Sequence, residues 1–68
     1  MPDTPPPEIT ITVAFRTEDD AWNLAQFLKR AGLGDYRALA QDEAEAYSMQ
    51  RGADRVRSAL ALAGFAPR

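Results

Sequence analysis

The 68-residue sequence contains no cysteine and no histidine. Disulfide bonds are therefore excluded, and so is a zinc site built from the usual Cys and His ligands. The sequence also lacks a glycine-rich phosphate loop, a serine with a base to activate it, and an apolar segment long enough to cross a membrane. A chain this short is near the lower limit at which one hydrophobic core supports folding. We predict a non-enzymatic cytoplasmic protein with no cofactor and no metal.

Charged residues are distributed unevenly along the chain. The net charge is −2, a mild value that argues against a general nucleic-acid-binding protein. Residues 1–45 contain nine acidic and four basic side chains, whereas residues 46–68 contain one acidic and four basic side chains. The first part of the sequence is therefore acidic and the last part is basic.

The N-terminal part combines a proline-rich stretch with one predicted β-strand. Residues 1–7 hold four of the five prolines, which predicts a disordered tail before a single domain over residues 8–68. Apolar and polar side chains then alternate, as is typical of a strand. An isolated strand leaves its backbone unpaired, so we expect residues 9–15 to pair with the same strand of a second chain in a homodimer. The two sides of this strand carry Ile9, Ile11, Val13 and Phe15, and Thr10, Thr12, Ala14 and Arg16.

Two main helices and a short connecting helix are predicted after the strand. Thr17 is suited to cap the start of the first helix, and Gly32 is a natural left-handed cap at its end. The long helix is expected to run from about residue 43 to residue 63, between Asp42 and Gly64. One alternative is a single helix from residue 36 without a break near Asp42, because Leu39 continues the seam in register. A break near Gly52 is also left open. The seam of the long helix contains Ala46, Met49, Ala53, Val56, Leu60 and Ala63.

These elements predict an α+β fold with the order β-α-α-α and with strand pairing between the protomers of a dimer. The strands would form a ribbon, and the helices would cover its apolar side. Gly52 falls inside the long helix, and we expect it to permit close helix packing, because the apolar periodicity passes through it without a change of phase.

The order of one strand and two helices resembles that of the ribbon-helix-helix transcription regulators, over residues 9–51. This resemblance implies a dimer whose exposed strand residues enter the major groove of DNA. On the strand, the candidate DNA-binding residues are therefore Thr10, Thr12 and Arg16. Independently of the resemblance, Arg51, Arg55 and Arg57 of the long helix, with Arg37, are candidates for a phosphate-binding patch.

A second resemblance covers nearly residues 10–68 and is carried by AWNLAQFLKR, DYRALA, EAY and the terminal GFAPR. These segments resemble a small uncharacterised family of proteobacterial proteins that often occur near mobile elements, and the resemblance implies no known activity. In size and character such a protein is similar to phage-encoded inhibitors, including anti-CRISPR proteins, which cover a nucleic-acid-binding surface of a host complex.

We therefore expect a small acidic protein-interaction module, namely a mobile-element or phage-type inhibitor that binds a host protein complex. The alternative is a dimeric DNA-binding transcription regulator or antitoxin. Trp22 is either an interface anchor or a residue at the edge of the protein's own core. The acidic side chains either cap helices and face solvent or meet a basic groove of the partner. The candidate partner-binding residues are Trp22, Tyr36, Tyr47, Phe65, Glu18, Asp19, Asp20, Asp42, Glu43 and Glu45.

Overall fold

The computed structural model describes residues 8–68, and this part of the chain contains three helices and no β-strand. Helix α1 spans Glu18–Arg30, helix α2 spans Leu33–Leu39 and helix α3 spans Glu43–Leu62. The proline-rich tail predicted for residues 1–7 lies outside the described residues. The long helix begins after Asp42 and continues through Gly52 without a break, which decides between the alternatives left open by the sequence.

The starts of both long helices are fixed by the side chains that the sequence predicted. The Thr17 hydroxyl accepts a hydrogen bond of 3.1 Å from the backbone N–H of Asp20. The Asp42 carboxylate accepts one of 2.8 Å from the backbone N–H of Glu45. Each bond satisfies one of the N–H groups that have no partner within the first turn of a helix.

The predicted left-handed cap at Gly32 is wrong. Its φ angle is −114°, in the extended region, and Gly32 precedes α2 as the N-cap. Its backbone N–H donates to the Asp35 carboxylate at 2.8 Å. Helix α2 therefore begins at Leu33, and α1 and α2 are separated by only two residues that are not helical. Asp35 acts from within the first turn of α2, reaching back to the cap.

The hydrophobic core lies between α1 and α3. Its buried members are Ala21, Ala25, Leu28 and Leu60, with partly buried residues packed around them. Helix α2 packs against α3 but buries none of its own residues. Leu28 and Leu60 are the only large side chains that are buried in the described part of the chain, and they remain 8% and 6% exposed. This interior is small for a chain that has no disulfide bond to support it.

The α+β fold class predicted from the sequence is wrong for the described residues. Residues 8–15 adopt no secondary structure, and their backbone forms no hydrogen bond with any other described residue. The alternation of side chains is nevertheless present, because Ile9, Ile11, Val13 and Phe15 all line the same groove. Alternation reports which side of an extended segment is apolar, whereas a strand also requires a neighbouring backbone with which to pair.

The end of α3 turns sharply at Gly64, as the sequence predicted. Gly64 has a φ of 102°, which is favourable only for glycine. The N–H of Phe65 donates to the Leu60 carbonyl at 2.8 Å, and the N–H of Gly64 donates to the Ala61 carbonyl at 3.0 Å. This pair of bonds is the Schellman motif. It directs Phe65 back onto the core, next to Leu60 and α1.

Candidate interaction surfaces

An apolar groove runs between the extended N-terminal segment and the helices, with a volume of about 530 Å³. One wall is formed by four side chains from alternate positions, which we call the apolar row: Ile9, Ile11, Val13 and Phe15. The exposed fractions of these side chains are 94%, 71%, 59% and 38%, in that order. The groove is therefore open, and most of the apolar row faces solvent.

The opposite wall of the groove is a stripe of mostly small residues on α3, which we call the small-residue stripe: Gly52, Val56, Ala59 and Ala63. These positions are spaced four, three and four residues apart, so they lie along one side of the helix. Val56 is 38% exposed. The sequence placed Val56 and Ala63 on the seam that packs against the rest of the chain, but the structure directs both of them into the groove. Leu24 of α1 and Arg55 also line it.

Gly52 does not have the role that the sequence predicted. A methyl group added at its Cα would meet nothing within 4 Å. Close packing of helices within the chain therefore does not require glycine at this position. Its backbone lies in the groove wall, in a helix where glycine costs about 1 kcal/mol relative to alanine.

A second surface lies where the start of α1 meets the end of α3. The rings of Trp22 and Phe65 pack edge to face, with centroids 5.3 Å apart and an interplanar angle of 73°. Trp22 remains 38% exposed. The structure thus brings together two of the candidate partner-binding residues. Trp22 lies at the edge of the core and its ring remains accessible, whereas its role as an interface anchor stays a prediction.

Three acidic side chains belong to the same end of the molecule. Glu18, Asp19 and Asp20 form the first turn of α1 and are exposed. Glu18 and Asp19 lie four and three residues before Trp22, so they are its neighbours on the helix surface. We call the group formed by Glu18, Asp19, Asp20, Trp22 and Phe65 the acidic-aromatic end.

The other three predicted acidic residues lie at the opposite end of α3. A helix of 20 residues is about 30 Å long, so the acids at its start do not join the acidic-aromatic end. Each one is engaged locally: Asp42 caps α3, and Glu45 accepts a hydrogen bond of 3.3 Å from the backbone N–H of Gln41. Glu43 binds Arg37. The six acids predicted as one partner-binding set therefore form two separate groups.

The ion pair between Arg37 and Glu43 links α2 to the start of α3. The Nε and Nη2 atoms of Arg37 donate to the two carboxylate oxygens of Glu43 at 2.6 Å and 3.1 Å. The hydrogen bond that Arg37 donates to Glu43, and then the negative charge of Glu43, raise the pKa of Arg37 above its ordinary value. The guanidinium group thus remains charged, and its fork is occupied by a carboxylate.

The predicted aromatic and basic residues are less concentrated. Tyr36 is partly buried on α2 and Tyr47 is 45% exposed on α3, and neither is near the end of α3 that holds Phe65. Arg51 and Arg55 are one turn apart, whereas Arg57 lies about 120° or more from both around the helix axis. The arginines of α3 therefore do not form a single patch. Thr10, Thr12 and Arg16 are exposed on the extended segment.

Within residues 8–68, no group of three or more acidic side chains is placed to hold a metal ion. None of the three helices combines the length and the apolar character needed to cross a membrane.

The groove was missed from the sequence, although a signal for it was present. Gly52, Val56, Ala59 and Ala63 recur every three or four residues, as do the residues of the predicted seam, so they also share one side of the helix. This pattern was not recognised because glycine and alanine give a weak apolar signal and because Val56 and Ala63 belong to both sets.

Comparison with known proteins identifies the chain at the level of its family. No curated protein and no solved structure matches it significantly. A family model described as "Family of unknown function (DUF7706)" matches residues 4–68. The match covers nearly the whole chain, including both surfaces described above. The chain therefore belongs to this family of unknown function, DUF7706.

Proposed function

We propose that this protein is a non-enzymatic interaction module that binds a basic surface of another protein through its acidic-aromatic end. The observation that carries the proposal is the exposed ring of Trp22, which is held by Phe65 and lies beside the first-turn acids of α1. Tryptophan is enriched among the residues that dominate binding energy at protein interfaces. Its position on a packed helix means that little side-chain freedom is lost when a partner binds.

The chemistry of this end favours a cationic partner. The carboxylates of Glu18 and Asp19 attract Lys and Arg side chains, and the face of an indole ring binds the same cations. A basic groove offers both contacts. The positive end of the α1 dipole reduces the negative potential near the helix axis, so we expect the charge of the acids to act at the rim and the ring of Trp22 to act at the centre.

A finer form of this proposal concerns the biological setting. Surfaces that bind nucleic acid are basic, and a small acidic protein that covers one acts as an inhibitor. We propose this role, in the manner of mobile-element or phage-type inhibitors such as anti-CRISPR proteins that bind a host complex. It is supported by the size and the acidity of the chain, whose isoelectric point is about 4.9.

The geometry favours protein binding over DNA binding. The ribbon-helix-helix resemblance depends on a strand, and residues 8–68 contain none. Of the candidate basic residues, Arg57 is on a different side of α3 from Arg51 and Arg55, and Arg37 is already bound to Glu43. A duplex requires several cationic groups along one surface.

Affinity capture from an extract of the source organism, with the full chain as bait, tests the proposal. A captured protein is identified, purified and titrated against the wild type, Trp22→Ala and Phe27→Ala. Phe27 is 61% exposed on α1 and lies outside both surfaces, which makes it the matched control. We expect Trp22→Ala to weaken binding about 30-fold, as for an interface hot spot, and Phe27→Ala to have no effect.

Charge variants distinguish specific binding of a basic partner from nonspecific hydrophobic binding by the exposed Trp22 ring. Glu18→Gln with Asp19→Asn leaves the rings in place and should weaken binding while reducing its salt dependence. Equal binding by Trp22→Ala and Phe27→Ala, with helical content unchanged, would refute the assignment of this end as the binding surface.

A further inference from the structure

In the described part of the chain, the hydrophobic core is small compared with the apolar surface that remains exposed. The five side chains most relevant to the groove are the apolar row and Val56, and their exposed fractions together equal about three fully exposed side chains. The described part of the chain encloses only two large side chains, Leu28 and Leu60. The apolar surface that is open at the groove, equal to about three large side chains, thus exceeds that of the two large side chains that are buried.

If the groove completes the core, its cover must be present whenever the chain is folded. A protein that binds only occasionally would leave the groove open between encounters. A second copy of the same chain is available wherever the chain is made, and small chains commonly reach sufficient burial by forming dimers. The occupant that meets this need is therefore the chain itself.

The groove also has the shape that self-association requires. It carries large side chains on one wall and the small-residue stripe on the other. A two-fold axis brings the same surface of both copies together. The apolar row of each copy can then contact the small-residue stripe of the other, so that every contact occurs twice. Gly52, for which nothing within the chain requires glycine, then lies where a second copy approaches the α3 backbone closely.

The charges that flank the apolar row are complementary to those of a second copy. Glu8 precedes the row and Arg16 follows it, and both are exposed. Thr12 is the midpoint between them. When two copies run antiparallel about this midpoint, Glu8 of each chain lies beside Arg16 of the other, whereas a parallel arrangement places like charges together. Opposite charges at the two ends favour the antiparallel arrangement.

From these observations we infer that the groove is covered by a second copy of the chain, in a two-fold dimer whose segments 8–16 run antiparallel. The groove shares only Phe65 with the proposed partner-binding end. The mass of the free chain tests the dimer without a partner, so failure of the dimer can be distinguished from failure of partner binding.

Sedimentation equilibrium of the full chain tests the inference. We expect a mass of twice 7.5 kDa at micromolar concentration. Glu8→Arg should raise the dimer dissociation constant about tenfold, because it creates two like-charged contacts. The double variant Glu8→Arg with Arg16→Glu should restore association to within about threefold of the wild type. Asp54→Arg, which makes the same charge change at an exposed site outside the groove, is the control and should have little effect.

Three results would overturn the dimer. One is a mass of a single chain throughout, at concentrations up to about 100 µM, which corresponds to less than about 5.5 kcal/mol of association. Another is a mass above two chains, since a two-fold interface closes on itself. The third is failure of the reversed pair to restore what Glu8→Arg removes, since both side chains are exposed and neither variant disturbs the core.

Discussion

Replacement of Ile11 by serine should dissociate the inferred dimer without removing anything from the core of the single chain. Ile11 is 71% exposed. Full burial of an isoleucine side chain contributes about 1.5 to 3 kcal/mol, so covering the exposed part of Ile11 contributes about 1 to 2 kcal/mol per chain. The residue occurs twice in a two-fold dimer, which gives about 2 to 4 kcal/mol. This corresponds to an increase of roughly 30- to 1000-fold in the dissociation constant.

The matched control is Leu39→Ser. Leu39 is 81% exposed at the end of α2, and it does not line the groove. Its replacement removes a similar apolar area from the surface of the single chain but not from the inferred interface. Sedimentation equilibrium over a range of concentrations measures the dissociation constants of both variants and the wild type, and far-UV circular dichroism follows helical content in the same samples.

We expect Ile11→Ser to shift the equilibrium towards the single chain and Leu39→Ser to leave it unchanged. If dissociated chains also lose helical content, folding and association are coupled, as the small core implies. The reasoning would be refuted by two variants with the same dissociation constant, because the effect would then depend on general hydrophobicity and not on the groove. It would be refuted equally by an Ile11→Ser variant that associates as tightly as the wild type.

Three further predictions concern helix geometry and partner class. Gly64→Ala should lower the free energy of unfolding by about 1 kcal/mol, measured by urea denaturation, because the left-handed conformation is costly for alanine; an unchanged value would contradict the turn described. Gly52→Ala and Gly34→Ala both add a methyl group that meets nothing within 4 Å in a single chain, so helix propensity should favour both by up to about 1 kcal/mol, but only Gly52→Ala should weaken dimerisation in sedimentation equilibrium. Random duplex DNA should not bind in a fluorescence anisotropy titration at about 50 mM salt, where phosphate contacts are strong; binding with a steep salt dependence would favour the DNA-binding alternative.

The helices could be predicted from the sequence because their signals are local. Thr17 and Asp42 cap α1 and α3 through contacts only three residues long, and the turn at Gly64 ends α3 through bonds that span three and five residues. Gly32 shows the limit of such rules. Glycine is compatible with both ends of a helix, and here the carboxylate of Asp35 places it at the start of α2 and not in the left-handed position after α1.

The strand was predicted wrongly because its signal is local but its formation is not. Alternation of Ile9, Ile11 and Val13 is real and places these side chains on one side of the segment. Strand formation depends on a second backbone, whose presence no pattern within one segment reports. The contact between Trp22 and Phe65 could not be predicted for a related reason, since it joins residues 43 positions apart through the turn at Gly64.

The ring of Phe65 is shared between two surfaces: it packs against Trp22 and it also lines the groove. Immobilising this ring from the groove side removes part of the entropy that would be lost when Trp22 is engaged. Coupling between two binding sites is reciprocal. If covering the groove raises the affinity of Trp22 for a partner, then binding of the partner raises the affinity of the groove for its cover by the same factor. If both proposals hold, Phe65 couples dimer formation to partner binding, because one ring contacts Trp22 and lines the groove.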